Sequence, residues 1–119
     1  MRNKRKVGQL FEQRAVEFLE DHGLKILEKN YRCRSGEIDL IARDDSYVVF
    51  VEVKYRHCEK TGYASEAVDG RKQRTISRVA DYYLMCHFSS WDIPCRFDVV
   101  GIDGDEIHWY KNAFEYQPY

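Results

Sequence analysis

A chain of 119 residues, 44% hydrophobic and 33% charged, is the size and composition of one globular domain with a real core, and too apolar for a disordered chain. No apolar run approaches the ~18 residues of a membrane span, and no signal core follows the basic start Met1-Arg2-Asn3-Lys4-Arg5-Lys6, so a cytoplasmic protein without a membrane partner is expected. The net charge of −1 hides an asymmetry: residues 1–78 hold 17 Lys+Arg and 13 Asp+Glu (net +4), residues 79–119 hold 2 and 7 (net −5).

Residues 1–7 read as a basic tail. Residues 8–22 predict a helix, because Leu10, Phe11, Ala15, Phe18, Leu19 and His22 recur at helical spacing with charges between them, and Gly23 ends it. Glu12 lies beside that stripe, a position that composition alone makes a solvated one. Residues 24–33 alternate loosely and predict a first strand, with Arg34-Ser35-Gly36 as a turn.

Two short strands follow, Gly36–Arg43 and Val48–Lys54, joined by turn chemistry at Asp44-Asp45-Ser46. Both carry charge where a core strand should have none: Asp39 in the first, Glu52 and Lys54 in the second. A buried charge is expensive unless it is paired or binds a cation. In an antiparallel hairpin with Arg43 opposite Val48, Asp39 falls opposite Glu52, with Cβ atoms roughly 4.5–5.5 Å apart. Alternation puts Lys54 on the face of Glu52. A one-residue slip would send the two acids to opposite faces. Two carboxylates with an ammonium beside them suit an oxygen-liganded Mg²⁺ or Mn²⁺ rather than zinc. Glu37 shares the face of Asp39 and is expected to pair with an arginine.

Residues 55–70 are polar and read as a long loop next to this face, with Arg56, Lys60 and Tyr63 as candidates for phosphate or base contact. Residues 71–88 predict a second helix capped by Asp69, with Ile76, Val79, Ala80, Tyr83, Leu84 and His87 as its buried stripe. Its first turn, Arg71-Lys72-Gln73-Arg74, is basic, which the helix dipole disfavours; an anionic ligand at that end would offset the cost. After a turn at 89–94, Cys95–Ile102 and Glu106–Tyr110 read as a hairpin around Asp103-Gly104-Asp105. Asp98 is expected to pair with an arginine, and Asn112-Ala113-Phe114 with the aromatic tail 115–119 to cover an edge. The four cysteines form no Cys-x-x-Cys pair and read as reduced packing residues. No His-x-x-x-His, Gly-x-Ser-x-Gly or phosphate-binding Gly loop is present. The element order describes one α/β domain over residues 1–119, a mixed sheet flanked by helices.

Asp39, a short interval, then Glu52-Val53-Lys54 resembles the PD-(D/E)xK nuclease signature, with Ile38 where many members carry proline. More widely, Gly8, Glu12-Gln13-Arg14-Ala15, Asn30-Tyr31-Arg32, Gly36–Ala42, Val51–Arg56, Lys72 with Ala80, Arg96–Val99 and Asn112-Ala113-Phe114 resemble the bacterial YraN-like family, regarded as endonucleases and similar in fold to archaeal Holliday-junction resolvases. The resemblance covers about Gly8 to Phe114. It implies a restriction-endonuclease-like αβββαβ core and a metal-dependent endonuclease acting on DNA, branched or single-stranded, with RNA open. Asp39 and Glu52, with the Val53 carbonyl, would hold Mg²⁺ or Mn²⁺, and Lys54 would act on the attacking water. Glu12 would be an accessory catalytic and metal residue, since a first-helix glutamate often joins such sites. Arg56, Arg71, Lys72 and Gln73 would hold the nucleic acid. Resolvase-like relatives are dimers, which makes a homodimer the corresponding expectation. The alternative is a nucleic-acid-binding or partner-binding module that keeps the site without turnover.

Overall fold

The run Val48-Val49-Phe50-Val51 is apolar on both faces, so it needs cover from two sides. In a computed structural model of the chain, which describes residues 4–56 and 68–118 (but not the side chains of Lys4, Arg5 and Arg56), that cover comes from two helices. The order is α1 (Lys4–Asp21), β1 (Lys25–Cys33), β2 (Gly36–Asp44), β3 (Tyr47–Arg56), α2 (Gly70–Phe88), β4 (Cys95–Asp103) and β5 (Glu106–Phe114). The strands form one sheet in the order β1-β2-β3-β4-β5. All neighbours are antiparallel except β3 and β4, which run parallel with α2 as their crossover. This is the expected α/β architecture with a mixed sheet between helical layers.

Alternation along β3 builds two cores. Val48 and Phe50 face α2 and pack with Ile41, Phe97, Val99, Ile76, Val79, Ala80, Tyr83 and Leu84. Val49, Val51 and Val53 face α1 and pack with Ala15, Val16, Leu19, Leu40, Ala42, Val100 and Ile102. Each fully buried large side chain of this kind contributes about 1.5–3 kcal/mol. The helical stripes end short of their predicted limits. Leu10 is 66% exposed, and His22 and His87 are also on the surface, while Val16 and Ser77 are buried in their place. His87 instead stacks on Tyr83 with ring centroids 4.1 Å apart.

Several boundaries differ from the sequence reading. Lys4–Val7 are helical rather than a tail, because α1 begins at Lys4. Tyr55 and Arg56 belong to β3 rather than to a loop, since their backbone pairs with Ile102 and Asp103 of the parallel neighbour; Lys60 and Tyr63 lie outside the described residues. The β2–β3 turn is tighter than expected, with Asp44 and Tyr47 still paired and Asp45 at φ 54°. β5 continues to Phe114 as the full-length partner of β4. The tail therefore does not cover an edge; it is stitched to α2. Gln117 N–H donates to Ser77 Oγ at 3.0 Å, and the Arg78 guanidinium donates to the Gln117 and Pro118 carbonyls and to Tyr116 Oη. Cys33, Cys86 and Cys95 are free thiols; Cys86 is exposed rather than packed, and Cys58 lies outside the described residues.

Two acids found the arginine partners expected of them. Arg32 Nε lies 3.1 Å from Glu37 Oε1 on the surface. Arg96 Nε lies 3.1 Å from Oδ1 of the fully buried Asp98. The Asp98 carboxylate also accepts from Trp109 Nε1 and from the Asn112 main-chain N–H, each at 2.9 Å. It thereby fastens β5 to β4 at the irregularity between Phe97 and Val99.

Gly36 opens β2 at φ +149°, and a Cβ built there would lie 2.6 Å from Thr75 Cγ2 of α2. Gly36→Ala is expected to destabilise the protein by about 1–3 kcal/mol, the usual range for overpacking, read as a lower urea midpoint with unchanged m.

Candidate functional site

The β2–β3 ladder follows the predicted register through Arg43–Val48, Ala42–Val49 and Ile41–Phe50, and its last backbone pair is Leu40–Val51. One step further, Asp39 would oppose Glu52. There the backbone pairing stops, and Asp39 Oδ2 takes the Val53 main-chain N–H at 2.8 Å. The carboxylate thus replaces a ladder acceptor for Val53, which gives an acid a place at the end of a strand pair. Ile38 packs with the α2 layer although Leu40 packs with the α1 layer and Ile41 with α2, so the alternation of β2 breaks beside Asp39.

Glu52 follows Val51 on β3 and is 4% exposed. Its Oε2 lies 3.9 Å from Lys54 Nζ, so Lys54 shares its face as alternation requires. A second ammonium is closer: Lys72 Nζ, from the first turn of α2, is 3.3 Å from the same oxygen. Asp39 and Glu52 face one another electrostatically. Burial pushes the Asp39 carboxyl up to about 8, and a hydrogen bond shared with Glu52 and its charge push the same way. The Val53 N–H and the Lys72 charge oppose them and do not prevail. Burial and the neighbouring Glu52 charge thus both favour the protonated form of Asp39.

The donor set fits a hard divalent cation. Two adjoining carboxylates at a strand end, beside the partly exposed Lys54, match the way Mg²⁺ is held by one or two carboxylates with the rest of its shell water or phosphate. Among the described residues no three His, Cys, Asp or Glu side chains come together as a ready-made metal cage. Glu12 comes from the α1 layer, across the sheet from Lys72. It lines a cleft of about 210 Å³ with Gln9, Gln13, Val16, Lys29 and Asn30. Burial raises its carboxyl, a hydrogen bond with the Asn30 side chain opposes this, and the charges of Asp39 and Glu37 add to the rise. Of the pair, it is the Asp39 charge that reaches it.

The expected nucleic-acid contacts divide. Arg71 is exposed on the first turn of α2. Gln73 is turned inward, its Nε2 donating to the Val68 carbonyl at 3.0 Å, where it braces the entry to α2. Lys72 faces Glu52 rather than open solvent alone. The Arg56 side chain lies outside the described residues. Sequence reasoning missed the Asn30 contact with Glu12. No local pattern along the chain signals it; Asn30 itself sits in the left-handed region, φ 51°, within β1.

Fold and site together define a mixed α/β domain of the restriction-endonuclease-like kind, with an acid pair and a lysine at the end of its central hairpin. The chain belongs to the family described as uncharacterised protein family UPF0102, whose model matches residues 11–102; this is the YraN-like family that the motifs resemble. It is 47% identical over 113 residues to a UPF0102 protein of Lachnoclostridium phytofermentans, covering 95% of this chain and 96% of that one. It is 50% identical over 107 residues to a UPF0102 protein of Nitrosomonas europaea (87% and 89% covered), and 49% over 114 residues to one of Photobacterium profundum (93% and 91%).

Proposed function

We propose that the protein is a divalent-metal-dependent endonuclease that hydrolyses phosphodiester bonds in DNA, with branched or single-stranded forms as its substrates. The observation that carries this is the meeting of the Asp39 carboxylate, which takes the Val53 N–H, with Glu52 and with the Lys54 ammonium 3.9 Å from Glu52 Oε2 at one end of the β2–β3 hairpin. Here Asp39 adjoins the buried Glu52 and its carboxyl is raised by desolvation and by the Glu52 charge, an arrangement that a divalent cation would relieve.

Asp39 and Glu52 would hold Mg²⁺ or Mn²⁺, which when bound polarises the scissile phosphate and lowers the pKa of a coordinated water. Lys54 orients that water and steadies charge building on the phosphoryl oxygens. Glu12 adds negative charge from the opposite layer. Arg71 contacts the phosphate backbone, which positions the strand without reading its sequence.

The test is a cleavage screen on single-stranded, flapped and four-way-junction DNA with Mg²⁺ or Mn²⁺. Lys54→Ala is expected to lower cleavage by about 10²–10³, the range for removing one group that stabilises transition-state charge. Its melting temperature should stay near wild type, since Lys54 is 31% exposed. Retained DNA binding with no cleavage across the panel would favour the binding-module alternative.

A further inference from the structure

We propose that Lys72 is the internal counterion of the acid pair, holding Glu52 until a divalent cation displaces it onto a phosphate oxygen of the substrate. This rests on the nuclease reading and adds to it a positioning residue from α2.

Two independent features carry it. The first is distance: Lys72 Nζ is 3.3 Å from Glu52 Oε2, nearer than Lys54 at 3.9 Å, and it reaches in from a different element. The second is its place on the helix. Asp69 caps α2, its Oδ1 accepting from the Lys72 main-chain N–H at 2.9 Å. Lys72 is thus the third helical residue, where a capping box would carry an acid and where the helix dipole disfavours a cation. A lysine there works against its own helix and is offset by the buried carboxylate it meets.

The two ammoniums differ in freedom. Lys54 is fixed two residues along the same strand as Glu52. Lys72 is 41% exposed, with a long side chain anchored outside the sheet. It can swing off Glu52 while its backbone stays in the cap, and the first turn of α2 directs it toward whatever anion lies over the site. Lys72 thereby compensates the buried Glu52 charge while the cation is absent, and a phosphate contact becomes available only once the cation is in place.

Mn²⁺ titration by calorimetry, without DNA, tests the first half. Lys72→Met and Lys72→Gln are expected to bind Mn²⁺ about tenfold more tightly than wild type, the lower end of what a unit charge at ~4 Å is worth. Lys72→Arg keeps the charge and should stay near wild type. The second half is read from the salt dependence of binding to a fluorescent four-way junction, in a Lys54→Met background so that the strand is not cut. Adding Lys72→Met should reduce the log–log slope by about one with Mn²⁺ present and leave it unchanged without Mn²⁺. Unchanged or weaker Mn²⁺ binding in both Lys72→Met and Lys72→Gln would overturn the inference. So would a slope that falls equally with and without Mn²⁺, or in neither condition. These results leave the nuclease reading standing, whereas a wild-type chain that binds no Mn²⁺ removes that reading and this inference together.

Discussion

Asp98→Ala is expected to cost about 3–5 kcal/mol, the penalty for breaking a buried ion pair from one side. The carboxylate is fully buried and accepts from Arg96, Trp109 and the Asn112 main chain. Removing it strands the Arg96 guanidinium, 15% exposed, with only Asp44 at 2.9 Å, and leaves an indole and a backbone N–H without their acceptor. A loss of that size is a large part of the 5–15 kcal/mol that a domain has in total. Urea unfolding should show it as a collapsed midpoint. Hydrogen exchange should show β5 opening first, because Asp98 is what fastens it. Asp98→Asn removes the charge but keeps the volume, and should fall between the two; equal stability of Asp98→Ala and wild type would mean the network contributes nothing.

The second large effect is at Asp39, where stability and activity should move in opposite directions. Its carboxyl is pushed up to about 8, against about 3.9 in an unfolded chain. Between those values the native state holds a proton that the unfolded state has lost. Native stability therefore falls as pH rises from about 4 to about 8, and this group contributes no slope outside that window. Asp39→Asn mimics the protonated form, with an oxygen for the Val53 N–H and an amide for Glu52. Near pH 8 the variant should be more stable than wild type by about 1–3 kcal/mol, the scale of an uncompensated buried polar group. It should also lack this part of the pH dependence, while cleavage falls to background. Mn²⁺ should stabilise wild type more at pH 8 than at pH 6, because the cation must displace the proton, and should do nothing for Asp39→Asn. A variant less stable than wild type near pH 8 would show that Asp39 is charged and satisfied in the native protein.

Much of this was legible along the chain. The hairpin register followed from turn chemistry at Asp44-Asp45-Ser46 and from strand alternation, which together brought Asp39 toward Glu52. The cap at Asp69 and the stripe from Ile76 to Leu84 followed from helical periodicity. That Glu37 and Asp98 would find arginines followed from the cost of leaving an acid unpaired in a strand. Where the reading missed, the missing term was a neighbour distant in sequence. Tyr55 and Arg56 look like loop until β4 pairs with them. The tail looks like an edge cover until Arg78 and Ser77 hold it to α2.

Local chemistry along the sequence determined which residues would form strands and helices, and that two acids and a lysine would share one end of a hairpin, because alternation and turn geometry act over a few residues. Only the tertiary structure decided that Lys72 would reach Glu52, that Val53 would give its N–H to Asp39, and that Glu12 would stand in the opposite layer. Those outcomes depend on how two helices settle on a twisted sheet, a matter of packing between segments far apart in the chain that no local pattern records.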